Sequence, residues 1–373
     1  MTLDPVSGAG PTARTVQLSR ALTDLGVTCG IATCHAGSEP SSSAGLDGVE
    51  VVTLPSVAGR FRVPVGNYSA LNDAVRRADI VLMMNHWTTL NAVAFRATAR
   101  ARKPHIVCPC GALPLFGRSQ RLKTVYNALV GRRIVRDAAR QIAVTRDEVD
   151  QIAAYGVPKE TIVVIPNGIP PVFGAANPET FRTRHALGAA PIALFLGRLS
   201  IIKGPDLLVS AFTNIRARFP HWHLVMAGPD EGMLGQLQHQ VAAGGLHRQV
   251  HFVGYLNEEA KRDALAAANL LVVPSRSEAM SIVVLEAAAA GRPVLVTDRC
   301  GLAEVADAGG GWVVPATVAG LTRGLEQAFR DDAGLASRGD AWRRFALDRY
   351  AWPGIAARHK EMFSSVLAEK GRP

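Results

Sequence analysis

Short apolar runs punctuate the chain. In the first half they read VTCGIAT, VEVVTL, ADIVLMM, HIVCPC, QIAVT and IVVIPN; in the second, IALFLG, HLVMAG, VHFVG, NLLVVPS and RPVLVTD. Runs that are apolar throughout, without alternation, predict strands buried on both faces of a parallel sheet, and the amphipathic stretches between them predict the crossover helices of βαβ units. Most runs end in Gly, Pro, Ser or Asn, which places the functional loops at the carboxyl edges of the strands. The two sets meet at PNGIPPVFGAANPETF, residues 166–181, whose Pro, Gly and Asn content marks a linker. The expected fold class is α/β, with two Rossmann-like domains facing each other across a cleft. The first covers residues 1–168 and is followed by a linker over 169–180. The second covers 181–345, and a C-terminal helix over 346–373 carries Pro353 in its first turn and crosses back to the first domain.

One part of this pattern is missing. A Rossmann-like domain opens with a central strand that leads into a Gly-rich loop. Here SGAGPTARTVQLSRALTDLG begins at Ser7 with no apolar strand before it, so either the true start lies upstream or the domain lacks its first strand. Gly8 and Gly10 are the residues that would let backbone approach a phosphate or an acceptor there.

Composition narrows the class. At 373 residues with 48% apolar residues the chain supports two cores, and its Gly and Pro are spread rather than clustered. No apolar run reaches the roughly 18 residues of a membrane span. The opening MTLDPVSGAG lacks the basic flank and apolar segment of a signal peptide. Five cysteines, without paired CxxC spacing, argue against structural zinc or a disulfide framework and fit a reducing cytoplasm. The pair Cys108 and Cys110 reads as strand-end filler. Net charge is +10, and between Arg100 and Arg140 stand ten basic residues against a single acid, Asp137. Such a face attracts phosphates, nucleic acid or anionic lipid.

Two constellations carry candidate chemistry. In LFLGRLSIIKGPDLLVSAF a buried strand ends at Gly197, and Arg198 and Lys203 follow before a helix near Asp206. Two cations at a strand's carboxyl end can hold a diphosphate, Arg by forked hydrogen bonds and Lys as a point charge. In PSRSEAMSIVVLEAAAAGRPVLVTD, Glu278 lies in the loop before a helix and Glu286 on it. The amides of Met280, Ser281 and Ile282 would point at an anion from the helix N-terminus. Carboxylates accept paired hydrogen bonds from the diols of a sugar or a ribose.

Taken in order, GRLSIIKG, MAGPDEG, VHFVGYL and the Glu278-x7-Glu286 pair resemble the family 4 retaining glycosyltransferases of GT-B fold, and VVIPNGI, PVSGAGPTARTVQLSRALTDLG and YAWPGIAARHKEMF extend the likeness over nearly the whole chain. The resemblance implies a nucleotide-sugar donor in the second domain and an acceptor in the first. By it, Arg198 and Lys203 bind the donor diphosphate, assisted by Gly197 and the amides of Met280, Ser281 and Ile282. Glu286 holds the ribose, and Glu278 binds the transferred sugar near the reaction centre. Charge on the leaving diphosphate would be met by these cations and amides, so no metal or other cofactor is expected. On the acceptor side the family often carries a His after the strand; the strand in ADIVLMMNHWTTLN has Leu82 and Met84 at the usual positions, and His86, beside Trp87, is the candidate. Ala9 stands where many relatives have a glycine. His221 and His223 read as surface residues.

Two other classes were weighed. A nucleic-acid-binding protein suits the charge but lacks a helix-turn-helix, finger or RNP-like pattern. A nicotinamide-dependent oxidoreductase lacks the strand before GAGPTA and the acidic residue that closes the βαβ unit. The expected partners are therefore a nucleotide sugar, a saccharide or lipid-linked acceptor in envelope polysaccharide or glycolipid synthesis, and an anionic membrane surface met by residues 100–140. Nucleic acid is not among them. The expected location is the cytoplasm, peripheral to the inner face of the membrane.

Overall fold

The computed structural model describes residues 5–35, 46, 48–57, 62–115, 119–170 and 173–371. The strands are β1 (Gly30–His35), β2 (Glu50–Pro55), β3 (Val81–Met84), β4 (His105–Cys108), β5 (Arg140–Ala143), β6 (Ile162–Val164), β7 (Ile192–Leu196), β8 (His223–Ala227), β9 (Val250–Gly254), β10 (Leu270–Val273), β11 (Val294–Thr297) and β12 (Gly311–Val314). Two compact units result, one of Met1–Gly168 with Trp352–Pro373 and one of Ile169–Ala351.

The second unit is a six-stranded parallel sheet in the order β12-β11-β10-β7-β8-β9. Its first strand, β7, has β8 on one side and β10 on the other; Leu194 sits between Val225 and Leu271. The strand order therefore reverses between β7 and β10, and a doubly wound sheet binds its ligands beyond the carboxyl ends of the strands at such a point. Leu194, Leu224, Leu271 and Leu295 are fully buried, and Trp222 stacks on Phe329 at 3.9 Å between ring centroids. Such continuous burial is the reason these strands read as unbroken apolar runs. The strand missing from the sequence reading is β12: its three apolar residues follow Gly309, Gly310 and Gly311, too brief a run to stand out, and pairing with β11 creates it.

The first unit is built differently. The parallel pair β1-β2 and the four-stranded parallel sheet β3-β4-β5-β6 share no strand. Among the described residues no strand precedes the helix Pro5–Asp24, which takes up the Gly-rich segment. That helix packs on the final helix, Trp352–Lys370, and Lys360 Nζ donates to the Leu25 carbonyl at 2.8 Å. The final helix starts at Trp352 rather than at residue 346, because residues up to Tyr350 complete the preceding helix, Leu335–Tyr350. The irregular linker likewise ends before residue 180, since Asn177 Oδ1 accepts from the Thr180 amide and caps the helix Pro178–Arg184. No helix among the described residues is long and apolar enough to cross a membrane.

Arg14, 1% exposed, ties the first helix to the chain leaving β6. Its Nη1 donates to Asn167 Oδ1 at 2.7 Å and to the Pro166 carbonyl at 2.9 Å, and Nη2 reaches the Ile165 carbonyl at 3.4 Å. Truncating it would remove hydrogen bonds to three acceptors, two of them on buried residues. Arg14→Ala is expected to lower the stability of the first unit by roughly 2–4 kcal/mol, with the second unit's transition unmoved. Denaturant titration read by hydrogen exchange of each unit checks this.

Candidate functional site

At the switch point of the second unit, the loops after β7 and β10 are laced together. Gly204 has a positive φ of 67°, and a Cβ there would lie 2.1 Å from the Pro274 carbonyl oxygen, so only glycine allows this approach. The Arg276 amide donates to the Ile202 carbonyl at 2.7 Å, and the Arg276 guanidinium forks onto both oxygens of Asp206 at 2.8 and 2.6 Å. The loop after β11 closes the other side. Glu278 and Ser281 donate their amides to the carbonyls of Arg299 and Cys300 at 2.8 and 3.1 Å. Gly301, with φ at 66°, lies where a Cβ would come within 1.7 Å of the Ala279 carbonyl oxygen.

This framework brings Lys203 to Glu278, Nζ to Oε2 at 2.9 Å, with side chains only 24% and 10% exposed. The other Glu278 oxygen accepts from the Ser275 hydroxyl. Arg198 is more open, at 40%, and pairs with Glu231 at 2.6 Å in the loop after β8. Glu286 faces Lys261 of the helix Glu258–Ala267 at 2.6 Å, and Glu258 meets the same ammonium at 3.0 Å. Burial raises the Glu286 carboxyl, opposed by the ammonium. Burial also acts against the Lys261 charge, but the two carboxylates outweigh it and raise Lys261 to about 12. The helix that carries Glu286, Ile282–Ala289, is pinned by Trp342, whose indole N–H donates to the Val284 carbonyl at 3.0 Å. Each carboxylate singled out in the sequence thus faces a lysine from another element.

The amides need one correction. Those of Met280, Ser281 and Ile282 do not form a common anion cradle, because the Ser281 N–H is engaged by Cys300. The first amides of the helix from Ile282 onward have no intrahelical acceptor. Gly197 ends β7, and its own amide is taken by the Ala227 carbonyl at 2.9 Å. Sequence reading missed Arg276, Ser275 and Lys261 and used Asp206 only as a helix start. Arg276 and Ser275 stand beside Glu278 in PSRSE and were legible as neighbours, whereas Lys261 lies on a distant helix that only the fold brings near.

In the first unit, His86 follows β3 but is 1% exposed, enclosed edge-on by Trp87, Tyr126 and Tyr155. Asn127 Nδ2 donates to the Tyr155 hydroxyl at 2.8 Å, so its Oδ1 accepts from His86 Nε2 at 2.8 Å. The ring therefore carries its proton on Nε2, and the buried Nδ1 finds no partner among the described residues. Burial, offset in part by that hydrogen bond, lowers His86 to about 4. A neutral, enclosed imidazole positions the end of β3 and is not an open catalytic group. Asn127 reaches it from a π-helical turn, Asn127–Gly131. Gly8 and Gly10 lie within the helix Pro5–Asp24 and not in a loop, so they form no phosphate cradle. Glu148, unmentioned in the sequence reading, is buried and binds the amides of Val144, at 2.7 Å, and Gly111, joining the loops after β4 and β5. His223 is half-buried and hydrogen-bonded to His251 at 2.9 Å, while His221 is exposed as expected. Among the described residues, no group of three or more His, Cys, Asp or Glu side chains could hold a metal ion.

Comparison with known proteins decides the family. Residues 178–344 match the model for glycosyl transferases group 1, and residues 9–168 match that for a glycosyl transferase 4-like domain. The chain belongs to the family 4 glycosyltransferases. A D-inositol 3-phosphate glycosyltransferase of Streptomyces bingchenggensis is 29% identical over 63% of this chain and 54% of its own. A GDP-mannose-dependent alpha-(1-6)-phosphatidylinositol monomannoside mannosyltransferase of Mycolicibacterium smegmatis is 31% identical over 62% of this chain and 64% of its own. The chain thus spans less than two thirds of the length of these curated relatives. The GT-B fold is shared with Anabaena HepE, whose crystal structure in complex with UDP and glucose has a TM-score of 0.77, 18% identity, and coverage of 96% of both chains.

For this family 4 chain, Gly204→Ala is expected to cost roughly 1–3 kcal/mol and to part the β7 and β10 loops. Lower thermal midpoint together with weakened nucleotide binding checks it. His86 is expected to stay neutral, protonated on Nε2, from pH 8 to pH 5, as read by nitrogen chemical shifts. Its folded pKa lies below the unfolded value near 6.5. The stability it contributes is therefore full above pH 6.5 and is lost, by roughly 3 kcal/mol, as pH falls through about 4. A ring titrating near 6.5 would overturn the assignment.

Proposed function

We propose that this protein transfers a glycosyl group from a nucleotide sugar to a hydroxyl of a saccharide or lipid-linked acceptor, with retention of anomeric configuration. The observation that carries the reading is the Lys203–Glu278 pair at the β7/β10 switch point, on loops locked by Arg276 and Asp206. When a donor enters, Arg198 and Lys203 turn from Glu231 and Glu278 to the diphosphate, Arg as a fork and Lys as a point charge. The exchange leaves the Glu278 carboxylate beside the sugar, where it supports the positive charge that develops at the anomeric carbon as the bond to the diphosphate breaks. Arg198, Lys203 and the first amides of the helix Ile282–Ala289 take up the charge on the departing diphosphate. Glu286, released from Lys261, accepts from the ribose hydroxyls. In this scheme the cations and amides do the work that a divalent metal would do. The acceptor hydroxyl attacks from the face the leaving group vacates and passes its proton to an oxygen of the departing diphosphate, which balances the transfer and preserves the anomeric configuration. Glu278 is an electrostatic support here and forms no covalent bond.

Support for the donor class comes from the UDP named in the HepE complex, and for the acceptor class from the inositol phosphate and phosphatidylinositol mannoside named for the relatives. An anionic acceptor agrees with the basic stretch from Arg100 to Arg140. The proposed place of work is the cytoplasm, at an anionic membrane surface.

A thermal-shift screen against nucleoside diphosphates and nucleotide sugars tests the reading. One nucleotide series is expected to raise the midpoint, equally in EDTA. Arg198→Ala and Glu286→Ala are each expected to weaken that series by ~10- to 100-fold with folding intact. No shift from any series, or a shift indifferent to both substitutions, refutes the donor site.

A further inference from the structure

The basic stretch of the first unit has a shape that its sequence did not show. Helix Gln120–Tyr126, the π-helical turn Asn127–Gly131 and helix Arg132–Arg136 run on without a break, a segment of about 25 Å. Its inward side carries Tyr126, Asn127, Ile134 and Val135. Its outward side carries Leu122, Val125 and Leu129, the last 73% exposed, at spacings of three and four residues that place them on one face. Arg132, Arg133 and Arg136 continue that exposed side, and Arg121 flanks its start. Three large aliphatic side chains on a water-facing helix, followed by a cationic end, are not what a solvated surface selects.

The apolar surface extends beyond the helix. Val57, Val63 and Val65 are also exposed, on a segment closed by the Val57 amide donating to the Val63 carbonyl at 3.0 Å. That segment meets the turn after His86 through Thr89 Oγ1, which donates to the Arg62 carbonyl at 3.3 Å. The helix meets the same turn through the Tyr126 hydroxyl, which donates to the Thr88 carbonyl at 3.0 Å. Both exposed apolar groups are therefore anchored on one turn at the end of β3. The π-helical turn matters here: the local geometry that sends Asn127 inward to His86 leaves Ala128 and Leu129 facing out.

We propose that the outward face of segment 120–136 docks on an anionic lipid surface, with Leu122, Val125 and Leu129 at the acyl boundary and Arg132, Arg133 and Arg136 at the headgroup phosphates. An interfacial helix has this composition, an aliphatic stripe beside cations on a segment too polar to span. Charge selects among occupants. A second copy would bring like-charged arginines together, since Asp137 is the only acid in the stretch. Single-stranded nucleic acid needs exposed rings to stack on, and here Trp87, Tyr126 and Tyr155 are turned inward around His86. The proposal gives the lipid-linked acceptor proposed above its route of arrival, and in that respect it rests on that reading.

Flotation with vesicles of phosphatidylcholine alone, and with about a third phosphatidylserine, tests it on the full chain. The protein is expected to float with the anionic vesicles at low ionic strength and to release as salt is raised. Leu122→Ser/Val125→Ser/Leu129→Ser, and separately Arg132→Glu/Arg136→Glu, are each expected to cut the bound fraction by about tenfold. These positions are exposed, so the thermal midpoint should hold. Leu129→Trp, which keeps the apolar face, is expected to shift its emission to the blue on anionic vesicles alone. No flotation of the unaltered chain, flotation indifferent to the serine variant, or preferential binding of a labelled single-stranded oligonucleotide overturns the proposal. Nucleotide-induced thermal shift on the same preparations separates the two readings. Loss of flotation with the shift retained concerns only this surface, and flotation without any shift condemns only the donor site.

Discussion

How closely the ends of β7 and β10 can approach governs the rest of the second unit. Two strands of a parallel sheet are held near 4.8 Å, but the loops that leave them ordinarily diverge. Here they are drawn together by a glycine at the one position where a side chain would strike the Pro274 carbonyl, and then fixed by the forked contact of Arg276 with Asp206. Only after that approach is made does Lys203, on one loop, lie within ion-pair distance of Glu278, on the other. The ion pair is a consequence of the backbone geometry and not its cause: a single partly exposed pair contributes too little to hold two loops.

Those pairings also explain how a cluster so rich in charge is accommodated in the fold. Desolvating an unpaired carboxylate or ammonium is costly, and Glu278, Glu286, Lys203 and Lys261 are all at least half-buried. Each acid is paired with a lysine from another element, and Lys261 meets Glu258 as well as Glu286, so the buried charges offset one another at modest cost. The ammonium of such a pair loses little when another anion takes the place of its carboxylate, because one anionic partner is exchanged for another. Arg198, more exposed and paired at the edge with Glu231, is the cation with the least to give up.

What the sequence disclosed follows from how local each signal is. The buried strands β7, β8, β10 and β11 were legible because burial on both faces writes a continuous apolar run, and Glu278 and Glu286 because their spacing belongs to one loop and one helix. β12 was not legible, since its strand character comes from pairing with β11. Lys261 was hidden for a similar reason, lying on a helix that approaches Glu286 only in the folded sheet. His86 illustrates the opposite error. Its position after β3 suggested an open site residue, but the rings of Trp87, Tyr126 and Tyr155, two of them some 40 and 70 positions away, close over it. The π-helical turn that delivers Asn127 leaves no periodicity in the sequence by which to find it.

The two units solve their packing problem in different ways, and the difference has a physical consequence. The second unit rests on one continuous six-stranded sheet with an apolar core. The first has its strands in two separate sets, bridged by an apolar cluster of Cys34, Leu54, Leu71, Val75, Leu90 and Ala97, and adds buried polar anchors: Arg14 to the chain after β6, Glu148 to the loops after β4 and β5, and Asn127 to His86. Polar anchors fix geometry more sharply than apolar contacts, and the one between Asn127 and His86 depends on the protonation state of the ring. His86 and His359 are both buried neutral, lowered to about 4 and about 3, the latter by burial first and then by the Arg14 charge. An unfolded chain would take up protons at both rings near pH 6.5, so acid weakens the first unit through these histidines. At the end of β3 that acid effect acts through His86, whose Nε2 proton is held by Asn127 of segment 120–136, so protonation of the ring works against the turn on which that segment is anchored.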